Sequence, residues 1–225
     1  MPLLKSLGII CGVLLLWGSF QLPSGSGDVA SRQILSVKEE PDRIVLGWSG
    51  PVEPPMSERV GAALDRYRAD PRRLVLLLNS PGGSIQHGRD VVAVIRGRDR
   101  TVDTLVERAG VCASMCVPIF LAGARRMADP EANFMFHEAS LNSSARDELK
   151  RREIGAAEEA ALSTLVKTTV TDEMFRHDMG IRGVSALWLA GLRKKIAGRD
   201  VWMSAQQLVD EGSGIVDGLV RASGR

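Results

Sequence analysis

The chain has 225 residues, 44% of them apolar, and its 29 Lys and Arg against 27 Asp and Glu leave a formal charge of +2. That is enough apolar material for one sizeable core, and the length suits a single domain. With the two signs interspersed and only one Tyr and five Phe, the chain lacks the basic stripe and stacking surface that nucleic-acid binding requires.

Residues 1–27 differ in character from the rest. Lys5 precedes an almost uncharged apolar run from Leu7 to Phe20, and Pro23, Ser24, Gly25, Ser26 and Gly27 follow it. A charged start, a short apolar run and a small, polar end make an export signal. The run falls short of the roughly 20 apolar residues of a spanning helix, which favours cleavage, whereas the absence of an Ala-x-Ala site leaves an uncleaved membrane anchor through residues 7–20 open. A buried N-terminal helix is the third reading. The expected location is periplasmic or secreted. Cys11 lies inside the run, so its removal leaves Cys112 and Cys116 as an even pair, which an exported protein can join as a disulfide. Residues 28–42 are polar and weakly patterned and read as a linker, with the domain over 43–225.

Arg43 to Trp48 reads as a first core strand, closed by the turn Ser49-Gly50-Pro51. After Ser57, the apolar Val60, Leu64 and Tyr67 fall at helical spacing. Leu74 to Leu78 is a continuous apolar run between turn residues, as in a parallel strand covered on both faces. Ser84 suits the N-cap of a helix carrying Ile85, Val91, Val92 and Ile95, and strand character returns from Val102 to Val106. This alternation predicts a mostly parallel sheet packed with helices, with sites at the carboxyl ends of strands. Ala145 to Val170, without Pro, reads as one long helical arm, with a further helix over Ser185 to Lys195. Ser204 caps a short helix, and a final strand is expected at Ile215-Val216-Asp217.

Three places could carry chemistry. Ser114, in Gly110-Val111-Cys112-Ala113-Ser114-Met115-Cys116, sits between a predicted strand and the apolar helix Val117 to Leu121. Such a turn exposes a hydroxyl beside free backbone N–H groups, although a serine there also serves as a plain N-cap. His137 ends the run Phe134-Met135-Phe136 and is placed as a base or as a structural histidine; His87 and His177 lie on polar, helix-like segments. Asn79-Ser80-Pro81-Gly82-Gly83 brings two glycines that let backbone N–H groups approach a ligand, or form a simple turn. A zinc site from Cys112, Cys116 and His137 is a further possibility, with loose cysteine spacing and no evident fourth ligand. Nothing else suggests a metal or cofactor.

Together, Leu78 to Ser84, Ala113-Ser114-Met115, Leu121 to Ala124, Phe136-His137 and Asp200 to Ala205 resemble the Clp protease proteolytic subunit family, in order and approximate spacing, over about Arg43 to Val220. The resemblance implies an α/β fold of the crotonase-like superfamily, with repeated β-α-β units and a helical arm. It makes Ser114 the nucleophile, His137 the general base and Asp200 the residue that orients it, with oxyanion N–H groups from Gly83 and Met115. It also implies a homo-oligomer and a peptide or unfolded-protein substrate. Residue reasoning alone does not choose Asp200 over Asp129, Asp172 or Asp178. Three departures qualify the match. Cysteines flank Ser114 where the family has small residues, the arm is longer, and export separates the chain from the ATPase partners typical of the family. The reading is therefore an ATP-independent exported serine peptidase; the alternative is a binding or scaffold protein that keeps the fold. A Ser–Lys peptidase is disfavoured because no Lys occurs between Lys38 and Lys150.

Overall fold

The computed structural model describes residues 32–141, 143–181 and 183–221. The expected export segment, Cys11 included, lies outside the described residues.

A six-stranded sheet forms the centre, built from β1 (Ile34–Glu39), β2 (Arg43–Ser49), β3 (Arg73–Asn79), β4 (Val102–Val106), β6 (Arg126–Ala128) and β9 (Gly218–Leu219) in the order β1-β2-β3-β4-β6-β9. β1 runs antiparallel to β2, and every other neighbouring pair is parallel. A second sheet holds β5 (Val111–Ala113), β7 (Asn133–Phe136) and β8 (Val201–Ser204), with β5 and β7 parallel and β7 and β8 antiparallel. The expected mostly parallel α/β fold is therefore present. Its crossovers run through α1 (Met56–Arg66), α2 (Ile85–Arg96) and α3 (Cys116–Leu121).

Apolar runs decide the layers. Ile44, Leu46 and Trp48 of β2 and Leu74, Leu76 and Leu78 of β3 alternate onto one face and form the main core with Val60 and Leu64 of α1, Val91 and Ile95 of α2 and all of α3. The intervening Val45, Val75 and Leu105 form a small cluster on the other face. Arg43, Arg73 and Arg125 rim a cavity of about 340 Å³ over that cluster; neither Ser114 nor His137 lines it.

Three boundaries differ from expectation. Residues 34–39, inside the presumed linker, form the edge strand β1: register with β2, rather than side-chain alternation, holds them, and Ile34 stays 60% exposed. The arm is not one helix. α4 (Ser143–Arg151) ends where Glu153 takes a left-handed φ of 54° and the Glu153 and Ile154 N–H groups bond back to Lys150 and Leu149. Gly155 then starts α5 (Ala156–Leu165), which continues through wide π turns at Val166–Val170 and Met174–Met179. α6 (Ala186–Lys195) is capped by Ser185, and α7 (Ala205–Asp210) by a capping box of Ser204 and Gln207. The last strand lies three residues beyond Ile215, because pairing with β6 begins only after the Asp217 N–H has bonded the Arg126 carbonyl.

Candidate active site

Ser114 stands at the sharp turn from β5 into α3. Its φ of 54° is left-handed, a conformation that costs a non-glycine residue of order 1–3 kcal/mol. Local bonds hold it there: the Ser114 N–H donates to the Met135 carbonyl at 2.8 Å, and the Ser114 carbonyl accepts from Val117 at 3.0 Å. The hydroxyl consequently leaves the sheet and is half-buried rather than lost in the core. His137 follows the last residue of β7, the strand beside β5, and its Nε2 lies 2.7 Å from Ser114 Oγ. Parallel pairing of β5 and β7 thus brings together two residues 23 apart in sequence.

The glycine loop after β3 closes over this turn. Ser80 pairs with Cys112, its N–H donating to Val111 at 2.7 Å and its carbonyl accepting from Ala113 at 3.0 Å. The buried Ser80 hydroxyl accepts the Gly82 N–H at 3.1 Å. Val52 then binds the Gly82 carbonyl and the Ser84 N–H. In a parallel bridge of this kind the middle residue faces the other way, so the Gly83 N–H points away from Val52. Among the described residues neither the Gly83 nor the Met115 N–H donates a hydrogen bond. A Cβ at Gly82 would come within 2.7 Å of Ser114 Cβ and 3.1 Å of the Met115 nitrogen, so glycine keeps the space beside Ser114 and that N–H open.

Cys112 and Cys116 are fully buried and joined as a disulfide pair, with Cα atoms 5.2 Å apart, spanning Ala113, Ser114 and Met115. Their sulfurs bond each other and His137 Nε2 meets Ser114, so the alternative zinc set is not assembled; no cluster of three or more candidate ligands occurs among the described residues.

Asp200 is the member the structure leaves apart. Phe136 pairs with Val201, so one further step along the ladder sets His137 opposite Asp200. Asp200 is exposed, however, and no hydrogen bond joins it to His137 among the described residues. The other candidates are engaged elsewhere: Asp129 accepts the Glu131 N–H, Asp172 holds Arg193, and Asp178 holds Arg89. His87 is buried, with Nε2 accepting the Ser57 N–H at 3.3 Å, a structural role its polar sequence context does not suggest. His177 is exposed.

Sequence reasoning overlooks Ser80 and Glu138. Ser80 lies within the glycine motif, and a small polar residue ending a buried strand is the available signal. Glu138 gives no signal, because its partners lie some 60 residues downstream.

Residues 40–223 match the family model for Clp protease. The ATP-dependent Clp protease proteolytic subunit of Streptococcus sanguinis (strain SK36) is 29% identical over 175 residues, 76% of this chain and 82% of that protein. The subunit of Streptococcus suis (strain 98HAH33) is 30% identical over the same coverage. Proteolytic subunit 1 of Chlamydia muridarum (strain MoPn / Nigg) is 31% identical over 149 residues, 65% of this chain and 69% of that protein.

Proposed function

Since the chain belongs to the Clp protease family, we propose that it is a serine-type peptidase, exported and independent of ATP, that cleaves peptides or unfolded protein segments. The observation that carries this is the 2.7 Å approach of His137 Nε2 to Ser114 Oγ at a strand-to-helix turn.

In this reading His137 takes the Ser114 proton as Oγ attacks the substrate carbonyl. The tetrahedral oxyanion is met by the Gly83 and Met115 N–H groups, which have no acceptor among the described residues. Collapse breaks the C–N bond, and the imidazolium returns its proton to the leaving amine. Water, activated by the same imidazole, then hydrolyses the acyl-enzyme. Asp200 turns its carboxylate to His137 Nδ1 when substrate is bound, fixing the tautomer and stabilising the imidazolium; such bonds are often slack without substrate.

Export is supported by the charged start and apolar run of residues 5–20, and by the paired cysteines, which persist where the environment is oxidising. The relatives are named ATP-dependent. A chain outside the cytoplasm is away from ATP-driven unfolding, which restricts its substrates to segments already unfolded. The disulfide braces the nucleophile turn in place of a partner.

A serine-directed phosphonate is expected to label wild-type protein at Ser114 and to leave Ser114→Ala unlabelled. Folded wild-type protein that stays unlabelled would turn the conclusion to a scaffold that keeps the fold without the chemistry.

A further inference from the structure

Glu138 immediately follows His137, yet its carboxylate does not enter the Ser114–His137 pair. Oε2 accepts the Gly198 N–H at 3.0 Å, and Oε1 accepts from Arg193 Nη1 at 3.3 Å. Arg193 is itself held by Asp172, whose Oδ1 accepts from Nε at 2.8 Å. Both ends of the Glu138–Arg193 pair are shielded, with side-chain exposures of 17% and 26%. Gly198 is left-handed, with φ of 72°, in the tight turn between α6 and β8, and Asp200 comes two residues later.

The residue after His137 therefore grips the turn that carries Asp200. Among the described residues no other side chain bonds the Gly198 N–H, and Asp200 makes no bond of its own. The β7–β8 ladder stops at Phe136 and Val201, one position short of His137 and Asp200. Beyond that point Glu138 supplies the missing cross-link. The turn's own bonds, from the Arg199 N–H to Ile196 and from Arg199 Nε to Lys195, stay within the loop; a charge-assisted bond to a backbone N–H is roughly twice as strong as a neutral one, which suits the contact that ties this turn to the end of β7.

We propose that Glu138 is a positioning residue of the site: by fixing the Gly198 turn it keeps Asp200 opposite His137, so that the Asp200 carboxylate reaches the imidazole during turnover. It does not touch substrate. This rests on the serine-peptidase reading above, and it separates from that reading because it concerns only how Asp200 is held.

The test compares Glu138→Gln, Glu138→Met and Glu138→Asp with wild type, measuring kcat and KM on a fluorogenic peptide and the rate of phosphonate labelling at Ser114. Gln keeps an oxygen that can accept the Gly198 N–H; Met keeps the length without an acceptor; Asp keeps the charge but falls short by one methylene. Expected is kcat within about threefold of wild type for Gln, and a fall of at least tenfold for Met and Asp with KM changed less than twofold, since a holding contact alters the chemical step rather than uniform binding. Equal kcat in all four proteins overturns the proposal, as does a Gln variant as poor as Asp, or a loss that falls on KM. Should Met fail to fold, Gln against Asp decides. Wild-type protein that neither hydrolyses nor labels overturns the peptidase reading and this proposal together; active wild type with indifferent variants overturns this proposal alone.

Discussion

Ser114 pays for its left-handed backbone with bonds on both sides of it, and that arrangement sets what its replacement should do. Ser114→Ala removes one oxygen while the N–H to Met135 and the carbonyl to Val117 persist, so hydrolysis should vanish with the unfolding midpoint unchanged. His137→Ala should cost about as much, and the double variant no more than either, because the two act as a unit; additive losses in kcat would refute the pairing. Gly82 makes a second test at this scale. A methyl group there would meet the Ala113 carbonyl oxygen at 2.6 Å and Ser114 Cβ at 2.7 Å. Gly82→Ala should therefore lower kcat by about 10–100-fold, up to the low end of the roughly 100–1000-fold loss on removing an oxyanion donor outright, measured on protein whose circular dichroism matches wild type. Both glycines and Ser114 are legible in the sequence, since only small residues tolerate such close approach. Asp200 enters through the family resemblance and not through its neighbours. The fold shows why: Asp129, Asp172 and Asp178 look equivalent along the chain and differ only in the N–H groups and guanidinium groups that tertiary structure brings to them.

At the scale of elements, the core strands β2, β3 and β4 announced themselves by apolar runs and helices by spacing, while the edge strands β1 and β9 and the interruptions did not. α4 and α5 together read as one arm because Ala, Glu, Lys and Arg favour helix throughout; the break is a backbone event at Glu153, with Gly155 its sole sequence mark. α5 buries none of its residues, and Leu162 and Leu165 are 39% and 57% exposed. A helix with this apolar pair facing outward gains by covering it, so the arm should mediate self-association. Light scattering at micromolar concentration is expected to give an oligomer, and Leu165→Glu to shift it towards monomer; a monomeric wild-type mass would refute this. The short strand β9 is fastened differently. Burial pushes the Asp217 carboxyl up, but hydrogen bonds from the Arg126 side chain and N–H outweigh it and hold the group below its ordinary 3.8. A depressed carboxyl stabilises the fold above its unfolded value, and that contribution fades as pH falls through its folded value. Asp217→Asn should cost about 1–3 kcal/mol near neutral pH, discounted from the buried-pair range because Asp217 is partly exposed. Urea midpoints of the two proteins should converge as pH drops below 3.8; a constant gap would mean that the pair is not what holds β9.

For the molecule as a whole, two features carry the proposal of export, the apolar run in residues 5–20 and the cysteine pair around Ser114. The parallel sheet was legible because buried strands must be apolar. The proposed export rests instead on residues 1–27, a segment whose chemistry secretion machinery, rather than the fold, would read. The cysteine pair links the two. A disulfide closing so short a loop adds little global stability in chain-entropy terms, so its effect should be local to Ser114 and Met115, and it should form only if the chain leaves a reducing compartment. Fusing residues 1–27 to a reporter that works only outside the cytoplasm should give activity, and removing them should abolish it. Mass spectrometry of alkylated, unreduced protein should then find Cys112 and Cys116 linked in exported material and alkylated in leaderless material retained in the cytoplasm. The linked form should lose at least about tenfold in kcat on reduction, because the turn that holds Ser114 and the Met115 N–H loosens, while far-ultraviolet circular dichroism stays the same. An inactive reporter would return the protein to the cytoplasm and reopen dependence on an ATPase. Free thiols in exported protein, or reduction without effect on kcat, would reduce the cysteines to buried filling beside the nucleophile.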